Sequence, residues 1–226
     1  MPDHDPERPG PDPRRQVPGR DPGQGPDPRL GDGLAPRLID DLEHGADGPG
    51  PARSLVEAYV YLDLVAPGGS EQAAVADGSE GWLVRAGGVE VLVPYEAEET
   101  ARQAEATFGT GLSALLDPGQ WVLIASTYAS RALEGGLLLA EDPSDPEGLD
   151  TVAADWSFAA DAIAEALKFV PEGDAGADGP DLASFWTEMG RSARDAAPGR
   201  FTRAKLESDL AFYRQSLADL HRLHAD

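Results

Sequence analysis

Histidine is the side chain whose charge changes near neutral pH, so general acid–base chemistry is sought there first. The chain has 226 residues and four histidines, at 4, 44, 221 and 224, so residues 45–220 contain none. A Ser-His-Asp triad would have to take its imidazole from a terminal segment. His221 and His224 stand three apart on a predicted helix, where both could face one metal ion with Asp219. A last helical turn frays, which makes such a site weak. Cysteine is absent, which excludes disulfides and thiolate metal sites.

Gly109-Thr110-Gly111-Leu112-Ser113-Ala114 matches the pattern G-x-G-x-x-A. A dinucleotide fingerprint needs a strand before it and a helix after it, so that a helix N-terminus meets the pyrophosphate. Here a predicted helix comes before it and no βαβ unit surrounds it. A helix C-cap followed by a turn accounts for both glycines. No phosphate-loop pattern of the G-x-x-x-x-G-K-[ST] type occurs, and Ser113 lacks the flanking glycines of a nucleophile elbow.

Carboxylates are what remain. Glu98, Glu99 and Glu105 fall on one predicted helix, with Arg102 at ion-pair spacing. Asp155, Asp161 and Glu165 fall at or on a later one, with Asp161 and Glu165 one turn apart. Two such helices facing each other could hold Mg²⁺. Solvated helix faces explain the same acids without a ligand. The four tryptophans, Trp82, Trp121, Trp156 and Trp186, each sit in an apolar stretch and are expected in the core. Tyr59, Tyr61 and Tyr95 are expected on one exposed sheet face, where tyrosine often anchors partners; packing of that face against a helix is the alternative.

The elements that would position these residues follow from periodicity and turn chemistry. Residues 1–33 hold 9 of the 20 prolines, with PDPR at 11–14 and again at 26–29. Such a segment cannot bury enough apolar surface to offset its ordering entropy, so a disordered arm is expected. A short helix is expected over 34–44 and a linker to 53. From Ser54, LVEAYVYLDLV alternates apolar and mixed positions, which predicts a strand over 55–65. Residues 66–80 predict a loop. GWLVRAGGVEVLVPY predicts a hairpin, 82–86 and 89–95, turning at Gly87-Gly88. A helix is expected over 96–108, then strands at 120–127 and 137–140. Helices follow at 156–169, 181–196 and 201–224, with a linker over 171–180. In the last helix Leu206, Leu210, Tyr213, Leu217 and Leu220 form a heptad seam about two repeats long. That seam serves either packing on its own domain or a homodimer.

The resulting expectation is an α+β fold: a mostly antiparallel sheet of about five strands with helices packed on it. A domain over 54–170 would carry a helical C-terminal third, with 181–226 as a helical hairpin, behind a disordered N-terminal arm.

The net charge of −23 is unevenly spread. Residues 54–190 carry 25 acids against three arginines and one lysine, whereas 191–226 carry seven bases and five acids. Such a middle repels a phosphate backbone, so no nucleic-acid partner is expected, and it attracts a basic protein or a cation. No apolar run is long enough to span a membrane, and the first ten residues carry no apolar core of a secretory signal. A cytoplasmic protein with no cofactor is expected, and the Ala/Gly/Pro/Asp/Arg usage points to a GC-rich bacterial gene. The functional expectation is a non-enzymatic acidic binding protein, immunity-like, chaperone-like or an adaptor, for a basic protein partner. Its candidate binding residues are Glu96, Glu98, Glu99, Tyr59 and Tyr61. The alternative is a carboxylate-dependent Mg²⁺ hydrolase acting on a small phosphorylated substrate.

Overall fold

Ser54 is extended at φ −152°, and its hydroxyl accepts a hydrogen bond from the Glu57 amide. That cap starts a helix, α1 (Leu55–Val65), where the alternation of apolar residues predicted a strand. The residues that α1 buries, Glu57, Ala58, Val60, Tyr61 and Leu62, recur at helical spacing. The period of two was incidental to a short helix with apolar residues on most sides. The exposed sheet face expected for Tyr59 and Tyr61 therefore does not form.

The computed structural model describes residues 49–66, 68–171 and 178–224, all within one compact unit, Leu42–Asp226. The arm expected over 1–33 and the short helix expected over 34–44 lie outside the described residues.

The expected hairpin is present. Strands β2 (Gly81–Ala86) and β3 (Val89–Pro94) pair antiparallel, with Ala86 opposite Val89. Gly87 and Gly88 turn the chain at φ +58° and +84°, where a side chain would be strained. A third strand, β1 (Ala74–Asp77), pairs with β2 inside the stretch expected as a loop. It is a four-residue, mostly exposed edge strand, too short for its alternation to stand out in a Gly/Ser/Ala/Asp-rich stretch. The sheet order is β1-β2-β3. Val84, Val91 and Val93 are buried with Ala58, Tyr61 and Leu62 of α1 in one cluster.

Helix α2 (Tyr95–Gln103) is shorter than expected. The larger correction follows it. The stretches expected as strands at 120–127 and 137–140 belong to one helix, α3 (Pro118–Glu141). Asp117 caps it reciprocally with Gln120, and Pro118 fills its first turn. The sheet accordingly has three strands among the described residues, not about five. Asp145 then caps α4 (Pro146–Leu167), which starts ten residues before the expected position. The helix expected over 181–196 starts later, where Thr187 caps α5 (Glu188–Ala196). Thr202 caps α6 (Arg203–Leu223). The observed class is α+β: six α-helices and one antiparallel sheet among the described residues.

The helical part is organised around α4, which packs against α3 on one side and α6 on another. Trp121 and Phe108 meet at 4.8 Å, and Tyr128 stacks on Phe158 at 5.0 Å. Ala129, Ala132, Val152, Trp156 and Ala159 form a second cluster, covered by Tyr213, Leu217 and Leu220. Leu206 is fully buried, and Leu210 packs on the first cluster. The heptad seam of α6 is thus used within its own domain. Trp121 and Trp156 are core residues as expected, whereas Trp186 is 39% exposed.

Candidate functional site

Most of the carboxylates singled out by the sequence are occupied by neighbouring groups. Arg53 receives the Glu57 carboxylate, with Nη2 2.6 Å from Oε1 and the Arg53 amide 2.6 Å from Oε2. Its Nη1 reaches the Gly111 carbonyl at 2.6 Å and lies 3.0 Å from Glu165 Oε2. Lys168 bonds Glu165 Oε1 at 2.6 Å and the Gly109 carbonyl at 3.2 Å. Burial works against the Arg53 charge, but Glu57 and Glu165 outweigh it and hold its pKa above the ordinary value. The cluster joins the start of α1, the loop after α2 and the end of α4. In that loop Gly109 and Gly111 stand at φ +110° and +74° and present carbonyls to two cations. A pyrophosphate needs amides there.

The other predicted acids are placed as follows. Glu98 accepts from the Leu55 amide at 2.7 Å, so it serves the start of α1. Glu99 lies 3.4 Å from Arg102, and Glu96 is exposed. Glu105 follows α2 with a positive φ of 52°. Asp161 accepts from the Thr107 hydroxyl at 2.6 Å. Burial pushes the Asp155 carboxyl up, and Arg131 at 3.3 Å pulls it back. Tyr61 is 2% exposed and Tyr59 half-buried, both on α1. Asp219, beside His221, is engaged by Arg222 and by Gln215. Among the described residues, no group of three or more His, Asp or Glu is arranged to hold a metal ion.

Exposed leucines also stand at the free end of the α3–α4 hairpin. A 24-residue helix is about 36 Å long, so α3 runs well beyond its buried first half. Leu133, Leu137 and Leu138 are 57%, 72% and 69% exposed there. The same span of chain, 131–150, carries Glu134, Glu141, Asp142, Asp145, Glu147 and Asp150 against one base, Arg131; Asp145 caps α4 and Asp142 accepts from Ser144. Among the described residues Glu134, Glu141, Glu147 and Asp150 make no ion pair.

The chain matches no protein-family model, no curated protein and no solved structure.

Sequence reasoning misses this end because Gly135-Gly136 predicts a break and LLLA, 137–140, a strand after it. The signal was present in the spacing. Once 118–141 is one helix, Leu133 and Leu137 are one turn apart on the stripe that Ser126 begins. Ser126 takes a hydrogen bond from Arg200 at 2.5 Å, so the near part of the stripe is covered and the far part is not.

Proposed function

We propose that this chain is a non-enzymatic acidic binding protein for a basic protein partner, which docks on the free end of the α3–α4 hairpin. The observation that carries this is Leu133 and Leu137, one turn apart and exposed on α3, in a span of chain that holds six acids and one arginine. Apolar anchors within a charged rim are the anatomy of a protein interface, with the anchors supplying affinity and the rim supplying approach and choice of partner. Glu96 and Glu99 on α2 add long-range attraction, while Glu98 is engaged within the fold.

Capture from extract at low and high salt tests the reading, with wild type beside Leu133→Ser/Leu137→Ser. The expected result is one stoichiometric basic protein, lost at high salt and lost with the double variant. Captured proteins that are not basic, or that ignore both changes, would overturn it.

A further inference from the structure

Two adjacent glycines stand within α3 at 135 and 136, where each weakens a helix relative to alanine. Gly135 has a reason within the domain: a Cβ there would meet Val152 Cγ2 at 2.8 Å. Gly136 has none, since nothing lies within 4 Å of where its Cβ would stand. Leu133, Gly136, Leu137 and Ala140 share one helix face by spacing. Gly136 is therefore a gap in the side-chain layer between exposed leucines, open to the outside. A helix gives up stability at such a gap to no benefit of its own packing, and a second backbone can approach closely there.

We infer that the partner presents a basic amphipathic α-helix, seated over Gly136 with its apolar side chains against Leu133 and Leu137. The inference rests on the reading proposed above and names the partner's form. Charge decides between occupants. A second copy of this chain, related by a two-fold axis, would set the six acids against themselves, and an anionic lipid surface would be repelled likewise. A helix with lysine or arginine flanking an apolar stripe satisfies both features, in the helix-in-groove manner read through anchors at helical spacing.

The probes are two synthetic 18-residue Lys/Leu peptides of identical composition, one with leucines at helical spacing and one scrambled. Binding is followed by fluorescence anisotropy and peptide helicity by circular dichroism, at 50 and 300 mM NaCl. The patterned peptide is expected to bind at least about tenfold more tightly than the scrambled one, to gain helix on binding and to weaken with salt. Gly136→Gln fills the gap with a better helix former, so it should raise the melting temperature by about 2–4 °C while weakening the patterned peptide at least about tenfold. Leu133→Ser/Leu137→Ser should weaken it too. Equal binding of both peptides, salt-sensitive and lost in the leucine variant, would overturn the helix and leave the basic-partner reading standing. Patterned binding indifferent to Gly136→Gln would also overturn the seat. If neither peptide binds, both the inference and the reading beneath it fall.

Discussion

Tyr61 carries a phenol in a core where a charge has no place. It is 2% exposed, and burial pushes its pKa up to about 12. In the unfolded chain the same group titrates near 10, as a roughly unperturbed tyrosine does. The folded state therefore holds its proton more tightly. The stability this contributes is fully present below about pH 10 and is lost as pH rises toward 12. Tyr128 and Tyr213, raised in the same direction by burial, share this alkaline limb. Tyr61→Phe should therefore flatten the fall in melting temperature between about pH 9.5 and 11 while leaving the pH 7 to 9 plateau level. Melting curves across that range check it. An alkaline limb of unchanged steepness would mean that Tyr61 is not buried in solution.

At the scale of elements, two helix starts meet on one carboxylate. Asp117 accepts from the Gln120 amide at 2.9 Å, which caps α3, and from the Thr187 amide at 2.9 Å and hydroxyl at 2.7 Å. Thr187 in turn accepts from the Gly190 amide and caps α5. Gly119 and Gly190 have no side chains where these two starts cross, and a Cβ on Gly190 would collide with the Asp117 carboxylate. Asp117→Ala strands several buried donors at once, so it should cost about 3 kcal/mol, with Asn recovering part. Urea unfolding with an unchanged m-value measures this; a loss below about 1 kcal/mol would show that the two starts hold together by packing alone. The same region shows what was legible in the sequence. The hairpin at Gly87-Gly88 was readable because its turn needs glycine at both positions, and the last helix because its apolar spacing runs about four turns. Helix α3 was not, since Trp121-Val122-Leu123-Ile124 mimics a buried strand and Gly135-Gly136 mimics a break. Its start was nonetheless written in Asp117-Pro118 and Gln120, as the start of α1 was in Ser54 and Glu57. Caps decided the state of these segments where hydrophobic runs were ambiguous. The candidate binding residues fared less well, because Tyr59 and Tyr61 depended on a strand that is a helix. The exposed leucines became visible only once α3 was continuous.

For the whole molecule, the excess of acids sets opposite signs for two effects of salt. Most ion pairs of the described domain are exposed and local, such as Arg102 with Glu99 and Arg203 with Glu207. Such pairs are each worth little. The cluster of Arg53, Glu57 and Glu165 is largely buried and is screened much less. What salt mainly acts on is the repulsion among acids that have no base nearby, which opposes the compact state. Raising NaCl from about 10 mM to 300 mM shortens the screening length from roughly 30 Å to under 8 Å, so the free domain should melt at a higher temperature. Association with a basic partner should weaken over the same range, because there the acids attract rather than repel. Charge at the hairpin end contributes to both. Replacing Glu134, Glu141, Glu147 and Asp150 with their amides should therefore reduce both slopes together, stability rising less with salt and binding falling less. Calorimetric melting and peptide anisotropy on one salt series measure the two slopes. If melting temperature falls with salt in the wild type, attraction outweighs repulsion across this surface, and the acids act within the fold rather than toward a partner.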